Sequence, residues 1–573
     1  MPGPDPSWIV LGRADDGIVA ALLDGEGIEF ARDRIDGELA AWVSGREAAH
    51  APRWVWADTP AWYAPLLAAG VRVARCHDLR LSHAILRDSE LVASASALRA
   101  AREWDAAPRV EEPAALPALF DISEVERPAG PPESLDAAVL EFARQRAALT
   151  QARDPARLRL LLAAESAGAL IAAELRAAGL PWDAAVHDAL LADVLGPRPT
   201  VGALPARMEE AAARVRDALG DPAVHLESQP QLLRALRRVG IHVESTSRWE
   251  LAEHDHPAIA PLLEYKKLAR LYTANGWAWL DEWVHEGRFR PVYVPAGVVT
   301  GRWASSGGGA LQLPRMLRAA VRADPGWTLV VADVAQLEPR VLAGMASDER
   351  LAAAARGRDL YAGIVEGGVV STRAEAKVAL LGAMYGATTG DSGRLVPQLR
   401  RAFPRAMRLV DDAATAGERG GVVSTWLGRT SPPPSEGWTK AQGRAGDVDA
   451  TDADESRARR WARDRGRFTR NFVVQGTAAE WALAWLADVR GRLAELAPVG
   501  GDAAPASGPV FSTRPHLAFY LHDEIIVHTP LAHADAVAAI VREGAARAGR
   551  LLFGDFPVDF PLDLRISPAA EKG

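Results

Sequence analysis

Cysteine is almost absent from this chain. Cys76 is the only one in 573 residues, which excludes an internal disulfide framework and a cysteine-based zinc cluster. Long apolar runs are also missing, because none approaches the roughly 18 residues that a membrane span needs. The first six residues lack the charged and apolar regions of a signal peptide. We therefore expect a cytoplasmic protein without a membrane-spanning segment.

An excess of positive charge is lacking as well. The formal net charge is −8, which does not by itself indicate nucleic-acid binding. Net charge, however, averages over faces that can differ in sign. Residues 457–470 contain seven arginines and a single acid, Asp464. This stretch predicts a strongly basic local surface of the kind that contacts phosphates.

The chain is long enough for several domains. Residues 7–90 alternate short apolar runs with helical stretches, which is typical of a small α/β domain. The strands predicted there are Trp8–Leu11, Ile18–Leu23, Trp54–Ala57 and Val71–Ala74. A proline-rich linker is predicted at 127–132, then helices over 134–290, then mixed structure to the end. Two polar segments, 431–454 and 498–515, are predicted to be surface insertions.

Two adjacent carboxylates lie at a predicted hairpin tip. The runs 517–521 and 525–527 are short, apolar and rich in β-branched or aromatic residues, and Asp523 and Glu524 lie between them. A third acid, Asp333, ends another apolar run over 327–332. Carboxylates brought together on strands repel one another unless divalent metal neutralises them. Such a pair is the minimal requirement for two-metal phosphoryl transfer.

Two predicted helices each carry polar groups at four-residue spacing. On the first, the residues that share a face are Arg373, Lys377, Leu381 and Tyr385. Two fixed cations followed by an aromatic ring suit a triphosphate tail and a stacked base, and Gly386 is a plausible helix-ending glycine. On the second helix the residues are Arg463, Arg467, Asn471 and Gln475. Such groups can donate to minor-groove acceptors, which depend little on sequence.

Several segments together resemble the family A DNA polymerases, the group of bacterial DNA polymerase I. The matching runs are 333–343 (motif A), 373–386 (motif B), 467–480 (the segment between motifs B and C) and 521–524 (motif C). Upstream, 300–302 with Leu311 and Gln312 resembles the primer-duplex contact segment, and 244–268 resembles the thumb. The similarity covers about residues 225–570, in the family's order.

The resemblance implies a role for each matching residue. The catalytic residues are Asp333, Asp523 and Glu524, of which Asp333 and Asp523 bind two Mg²⁺ ions that Mn²⁺ can replace. The nucleotide-binding residues are Gln336, Glu338, Arg373, Lys377 and Tyr385, and the DNA-binding residues are Arg302, Arg467, Asn471, Gln475 and His522. The partners implied are primer-template DNA and dNTPs, with the protein a monomer.

Glu338 has a particular role by resemblance, which is to exclude a ribose 2′-hydroxyl. It follows Asp333 by five residues, where a strand is expected to turn into a helix. Pro339 departs from the family's usual apolar residue, but proline is tolerated in a first helical turn. Val334 and Leu381 stand where aromatic residues are usual, and Tyr361 stands where the fingers usually carry a histidine.

The resemblance also implies a mixed α/β and α+β multidomain fold. A 3′–5′ exonuclease-like, ribonuclease H-like α/β domain (1–130) precedes a right-hand polymerase domain (131–573). In the second domain we expect a helical thumb over about 150–290, a palm over about 291–345 and 470–573, and fingers over about 346–470.

The first domain is expected to be degenerate. The exonuclease's first motif places Asp-x-Glu on the first strand, whereas residues 8–13 contain no acid. Asp78 has a faint likeness to the second motif, and Asp15 and Asp16 read as a hairpin turn that faces solvent. We expect no proofreading, and we expect polymerisation to survive removal of this domain.

Three alternatives stay open at this point. The first domain could be an active exonuclease, which would make the protein bifunctional. A single-subunit RNA polymerase shares the palm and a similar Arg/Lys/Tyr helix, although Glu338 and the Asp523–Glu524 pair disfavour it. A non-catalytic DNA-binding remnant is disfavoured because a decayed site has no physical reason to keep isolated acids.

Overall fold

The chain forms two compact units. The computed structural model describes residues 5–571, apart from residues 16, 107–129, 201, 310–312, 387–389, 502 and 522 and the side chains of 390–392. The first unit comprises Met1–Gly179, Val292–Ser306 and Pro325–Ser567, and the second comprises Leu180–Pro291, Gly307–Asp324 and Pro568–Gly573. Within these described residues, no helix has both the length and the apolar character needed to traverse a bilayer.

A five-stranded sheet forms the amino-terminal part of the first unit. Its strands are β1 (Trp8–Ala14), β2 (Gly17–Leu23), β3 (Glu29–Ile35), β4 (Arg53–Trp56) and β5 (Arg75–Asp78), in the order β3-β2-β1-β4-β5. The helices are α1 (Leu39–His50), α2 (Thr59–Ala68), α3 (Leu79–Leu86), α4 (Ser96–Ala100), α5 (Leu135–Thr150) and α6 (Pro155–Ala178). Strands β1, β4 and β5 are parallel, and β2 runs antiparallel to β1 and β3. Ile9 and Val10 enter different cores, so both faces of the sheet are covered.

The predicted strand at Val71–Ala74 is wrong. The strand at this place is β5, which begins at Arg75 and pairs with β4 in parallel. Val73 is fully buried, but its carbonyl and that of Ala74 accept hydrogen bonds from the Arg490 side chain at 2.6 and 2.7 Å. The alternating apolar residues are therefore a buried connection rather than a sheet strand. The predicted linker at 127–132 and the boundary at 130 lie in or beside residues 107–129, outside the described part.

The second unit is mainly helical. Its elements are β6 (Leu180–Pro181), α7 (Ala184–Leu195), α8 (Ala206–Leu219), α9 (Gln229–Arg238), α10 (Arg248–Ala252), α11 (Ile259–Asn275), α12 (Trp277–Trp283), β7 (Val284–His285) and β8 (Arg288–Phe289). Leu191, Val215, Leu236 and Leu262 share its core, as the helical periodicity of 134–290 predicts. In the segment 244–268, the Lys266 ammonium donates to the Thr246 carbonyl and hydroxyl at 2.5 Å.

A four-stranded antiparallel sheet and a set of helices complete the first unit. Strands β9 (Val292–Val294) and β10 (Ala304–Gly307) form a separate two-stranded sheet. The four-stranded sheet contains β11 (Trp327–Val334), β12 (His516–Leu521), β13 (Glu524–Pro530) and β14 (Leu562–Ser567), in the order β12-β13-β11-β14. The helices are α13 (Leu337–Ala346), α14 (Glu349–Ala355), α15 (Leu360–Glu366), α16 (Arg373–Tyr385), α17 (Gly390–Ala402), α18 (Pro404–Glu418), α19 (Glu436–Ala445), α20 (Asp452–Glu495), α21 (Gly508–Phe511) and α22 (Ala534–Phe553).

One of the two predicted surface insertions is wrong in part. Within 498–515, Phe511 is buried and shares a core with Trp62 and Tyr63 of the amino-terminal sheet region. Its polar neighbours hid that contact in the sequence. The other segment, 431–454, contains α19, which buries none of its residues.

Candidate active site

The predicted hairpin is confirmed, and it brings Asp523 to the same sheet edge as Asp333. β12 and β13 pair directly, with only residues 522 and 523 between them. β13 also pairs with β11, in a register that places Asp333 opposite Glu524. The amide of Val334 donates to the carbonyl of Asp523 at 3.0 Å. Three predicted acids from two separated segments thus meet at one edge, whereas His522 lies outside the described residues.

The electrostatics of this edge favour a bound cation. Burial, and then the negative charge of Asp333, raise the pKa of Asp523 to about 6, with smaller contributions from Glu524 and Glu338. The carboxylates therefore repel one another in the metal-free protein. In the described part of the chain, no three acid, histidine or cysteine side chains are grouped closely enough to form a metal site alone. Asp333 and Asp523 alone do not complete the coordination shell of a divalent cation, so any such ion there would need further ligands from substrate or water.

Glu338 lies at the centre of a second cluster. It is in the first turn of α13, after Gln336, which has a positive φ of 50°. Its carboxylate accepts a hydrogen bond from the Tyr385 hydroxyl at 2.5 Å and forms an ion pair with Arg302. Burial, followed by this hydrogen bond, raises the pKa of Tyr385 above its usual value, which keeps the hydroxyl a donor. Pro339 leaves the helix intact, as its position in the first turn predicts.

Asp359 holds a third cluster, which the sequence did not indicate. It caps α15 through the amide of Ala362, at 2.8 Å. It also accepts hydrogen bonds from Arg373 at 2.8 and 3.2 Å and from the Gln336 side chain at 3.0 Å. The Arg373 guanidinium lies 5.5 Å from the Tyr361 ring centroid. An N-cap aspartate was the available signal, but nothing in its spacing indicated these two partners.

Helix α16 presents Lys377 to solvent. The predicted helix is confirmed over Arg373–Tyr385, starts with a capping box between Thr372 and Glu375, and ends at Gly386 with φ 72°. Lys377 is exposed and forms no ion pair with any residue that the structure describes. Unlike Arg373, its charge is therefore available to a ligand.

Helix α20 carries Arg467, Asn471 and Gln475 on one continuous face, as predicted. Arg467 is exposed and forms an ion pair with Asp464. A Cβ added at Gly386 would lie 2.8 Å from Arg467 Cγ, so the end of α16 contacts α20 at this residue. The Asn471 Oδ1 atom is buried and has no hydrogen-bond partner among the described groups. This buried acceptor lies beside half-buried Gln475 and can accept a hydrogen bond from a ligand.

The buried acids of the amino-terminal sheet region, Asp58 and Asp78, are held by protein partners, and Arg80 donates to Asp58 at 2.8 Å. β1 contains no acidic residue, and a Cβ at Gly12 would lie 2.3 Å from Leu135 Cα, so helix α5 occupies that space. Both Asp78 oxygens are used structurally, accepting from the Leu81 amide at 2.9 Å and from the Thr59 amide and hydroxyl at 2.8 and 2.7 Å. Asp15 is exposed, and Asp16 lies outside the described residues.

The amino-terminal region is tied to α20 by a buried ion network. Arg490 donates to Glu174 at 3.0 and 2.6 Å and to the carbonyls of Val73 and Ala74. Burial raises the pKa of Glu174, but the charges of Arg490 and Arg72 outweigh it and hold the pKa at about 2. Removing residues 1–130 would leave the buried Arg490 without two carbonyl partners. The expectation that polymerisation survives removal of this domain stays a prediction, and the network indicates that the removal costs stability.

Comparison with known proteins identifies the family. The family model described as DNA polymerase family A matches residues 201–569. DNA polymerase I of Chloroflexus aurantiacus is 28% identical over 341 residues, covering 55% of this chain and 32% of the relative. The thermostable DNA polymerase I of Thermus aquaticus is 25% identical over 564 residues, covering 88% of this chain and 61% of the relative. The chain thus spans between about a third and three fifths of the length of these curated relatives.

A solved structure shares the fold. It is the POL domain of Pol1 from M. smegmatis, in complex with DNA primer-template and dNTP. The TM-score is 0.65 at 17% sequence identity, and the match covers 99% of this chain and 94% of that one. The fold is therefore similar along the whole length, while the family model covers more than half of the sequence. The chain belongs to DNA polymerase family A.

Proposed function

We propose that this protein is a DNA-templated DNA polymerase that adds deoxynucleotides to the 3′ end of a primer. The observation that carries the proposal is the meeting of Asp333 and Asp523 at one edge of the β12-β13-β11-β14 sheet. Membership of DNA polymerase family A supports it, and so does the cluster of Glu338, Tyr385 and Arg302 beside that edge.

Asp333 and Asp523 are the residues that would hold two Mg²⁺ ions, or Mn²⁺ in their place. Their mutual repulsion, seen in the raised pKa of Asp523, fits a site built for cations. When bound, such ions lower the pKa of the primer 3′-hydroxyl and stabilise the negative charge of the departing pyrophosphate. Glu524, buried opposite Asp333, supports the geometry of this edge.

The nucleotide would be held between the palm sheet and α16. Exposed Lys377 would neutralise the triphosphate, and Arg373 would join it after leaving its ion pair with Asp359. Gln336 shares Asp359 with Arg373, which couples motif A to motif B. Tyr385 and Glu338 together shape the space beside the sugar and base.

The duplex would lie along Arg302 and the α20 face of Arg467, Asn471 and Gln475, and His522 is the further DNA-binding residue that the resemblance implies. Minor-groove acceptors suit these donors because such acceptors hardly vary with sequence. The partners proposed are primer-template DNA and dNTPs. A monomeric state and a cytoplasmic location stay predictions.

We also propose the domain assignment that the resemblance implies. The amino-terminal sheet, with antiparallel β2 and parallel β1, β4 and β5, supports a ribonuclease H-like, exonuclease-like domain. The helical second unit supports a thumb, the sheet with Asp333 supports a palm, and α14–α18 support fingers. The lack of acids on β1 supports a first domain without exonuclease activity.

Primer extension with purified protein tests the proposed function. We expect templated extension with dNTPs and Mg²⁺, none after chelation, and far less with ribonucleotides. Extension that prefers ribonucleotides would indicate an RNA polymerase instead. Duplex binding without any extension, in Mg²⁺ or Mn²⁺, would indicate a non-catalytic remnant.

Substitutions on α16 and α20 should separate nucleotide use from DNA binding. We expect Lys377→Ala to raise the KM for dNTPs and Arg467→Ala to raise the Kd for primer-template. A charge-assisted contact is worth about 1.5–3 kcal/mol, so each effect should be roughly ten- to a hundredfold. Lys440→Ala on α19 is the control, because Lys440 is exposed and forms an ion pair with nearby Glu436. Equal losses of dNTP affinity in both variants, with unchanged DNA affinity, would contradict the assignment of the two faces.

The protein should not degrade DNA from the 3′ end. The Asp333→Asn variant removes polymerisation and its reversal, and it leaves the amino-terminal sheet intact. We expect a 3′-labelled single strand to stay full length with this variant in Mg²⁺ or Mn²⁺ without dNTPs. Shortening that is lost on adding Asp78→Asn would show that the first domain is active after all.

A further inference from the structure

Arg302 lies on a tight turn between two buried residues. The Gly301 amide donates to the Val298 carbonyl at 2.8 Å, and the Val298 amide donates to the Arg302 carbonyl at 3.1 Å. Gly301 and Trp303 are buried, whereas the Arg302 side chain is 36% exposed and forms the ion pair with Glu338. The position of Arg302 therefore depends on what its two neighbours contact.

One neighbour, Gly301, contacts the side chain of Arg429. A Cβ added at Gly301 would lie 2.6 Å from Arg429 Nε, 3.0 Å from Cζ and 3.2 Å from Nη2. These three atoms belong to one planar group, so the guanidinium lies against the turn and fills the space that a side chain would need. Gly301 also has a φ of 85°, a conformation that glycine adopts without strain.

Arg429 is itself held by two helices. Its side chain is buried and forms an ion pair with the buried Glu165 of α6. Its amide donates to the Thr425 hydroxyl at 2.9 Å, and that hydroxyl donates to the Glu480 carboxylate of α20. Glu480 also accepts a hydrogen bond from the Leu427 amide at 3.0 Å. Both the backbone and the side chain of Arg429 are thus fixed.

The other neighbour, Trp303, packs against the same helix. Its ring makes edge contacts with Tyr293 and Tyr520, at centroid distances of 5.4 and 5.0 Å. A Cβ on Gly168 of α6 would lie 3.6 Å from Trp303 Cζ2. Gly168 follows Glu165 by three residues, so the two share a face of α6. That face supports both neighbours of Arg302, one directly and one through Arg429.

The pair of Arg429 and Glu165 is not an efficient source of stability. Arg429 Nε and Glu165 Oε2 are buried and have no hydrogen-bond partner within the described part of the chain. Burial raises the pKa of Glu165, although the charge of Arg429 opposes the shift. Buried ion pairs often stabilise a protein no more than well-packed apolar residues of similar volume. The distinctive contribution of this pair is a flat group held at a fixed place beside Gly301.

The following inference rests on the proposed function, in which Arg302 contacts the primer duplex. We propose that Arg429, held by Glu165, is a positioning residue that fixes the turn over residues 300–302 and so sets the position of the Arg302 guanidinium. Because Arg302 forms an ion pair with Glu338, Arg429 also fixes one of the two partners that hold Glu338.

Arg429→Lys and Glu165→Gln test the proposal. Lysine keeps the charge opposite Glu165 but has no planar group to lie against Gly301, and glutamine keeps the shape of Glu165 without its charge. We expect each variant to lower the single-turnover rate of primer extension roughly ten- to a hundredfold, the effect of a displacement of about 1 Å. The ratio of kcat/KM values for dCTP and CTP should fall as well, because Glu338 loses a fixed partner.

Arg302→Ala separates positioning from a general loss of structure. If Arg429 acts through Arg302, the variant Arg302→Ala/Arg429→Lys should extend primers as fast as Arg302→Ala alone. A second loss of full size in the double variant would overturn the proposal. An unchanged rate in Arg429→Lys with Arg302 present would overturn it too, since the planar group would then be dispensable.

Glu174→Gln is the matched control. Glu174 is another buried carboxylate of α6, and it is paired with the buried Arg490 of α20. We expect Glu174→Gln to lower the thermal midpoint while the folded protein keeps its rate. An equal rate loss in Glu174→Gln and Glu165→Gln would contradict a specific role for Arg429. If Glu165→Gln does not fold, Arg429→Lys, which keeps both charges, decides the question.

The wild-type protein separates this inference from its basis. Absence of templated extension by the wild type would overturn the proposed polymerase function. Normal extension by the wild type, with full additivity of Arg302→Ala and Arg429→Lys, would overturn the positioning role alone.

Discussion

Asp333→Asn and Asp523→Asn should each reduce nucleotide incorporation by at least about a thousandfold, because metal-ion stabilisation of the transition state is worth several kcal/mol. Each substitution removes a carboxylate charge from the edge where β11 meets the β12–β13 hairpin. Single-turnover primer extension at saturating dNTP measures the loss directly. Near-normal rates in either variant would show that the metals are not held by these residues.

The same variants should fold and bind DNA normally. Asp523 carries a raised pKa because it is buried beside Asp333, so neutralising it removes repulsion in the metal-free protein. We therefore expect the thermal midpoint of Asp523→Asn without metal to be no lower than that of the wild type. Asp217→Asn, at an exposed position on α8, is the matched control and should leave incorporation unchanged. A lowered midpoint together with lost DNA binding would mean that the activity was lost through unfolding.

Local patterns in the sequence predicted much of this site. The hairpin, α16 and the face of α20 depend on near-neighbour spacing, which periodicity reports well. The pairing of Glu338 with Arg302 joins residues 36 positions apart and depends on how separate segments pack. Asp359 was missed for the same reason, since its partners Gln336 and Arg373 come from two other elements. Contacts between separated segments produce no periodic pattern of residues in the sequence.

The amino-terminal region shows the same limit. Val71 and Val73 alternate with other residues in a pattern that is typical of a strand. The Val73 carbonyl instead accepts a hydrogen bond from Arg490, which lies 417 residues further along the chain. Arg490 itself lies on a helix where arginine is usually solvated, but it is buried with Glu174. No local feature of either segment predicts the other. The tie between the first domain and α20 thus appears only in three dimensions.

Glu338→Ala should admit ribonucleotides. Glu338 is held by the Tyr385 hydroxyl and the Arg302 guanidinium, so its position is fixed from two sides. A fixed side chain excludes an added hydroxyl by overlap, which typically costs 1–3 kcal/mol, or roughly ten- to a hundredfold in the ratio of dCTP to CTP use. Truncation to alanine should reduce the ratio by about that factor. The ratio of kcat/KM values for dCTP and CTP measures it.

Glu338→Gln is the informative companion because it keeps the bulk and loses the charge. If exclusion is steric, this variant should keep most of the discrimination, although the pair with Arg302 is weakened. If the carboxylate instead acts by positioning Tyr385 and Arg302, then Gln and Ala should lower discrimination alike, and Tyr385→Phe should lower it too. An unchanged dCTP to CTP ratio in Glu338→Ala would show that Glu338 does not exclude the ribose 2′-hydroxyl. Pro339, the departure beside it in the first turn of α13, would then be the residue to substitute, since a proline there fixes one backbone angle of that turn.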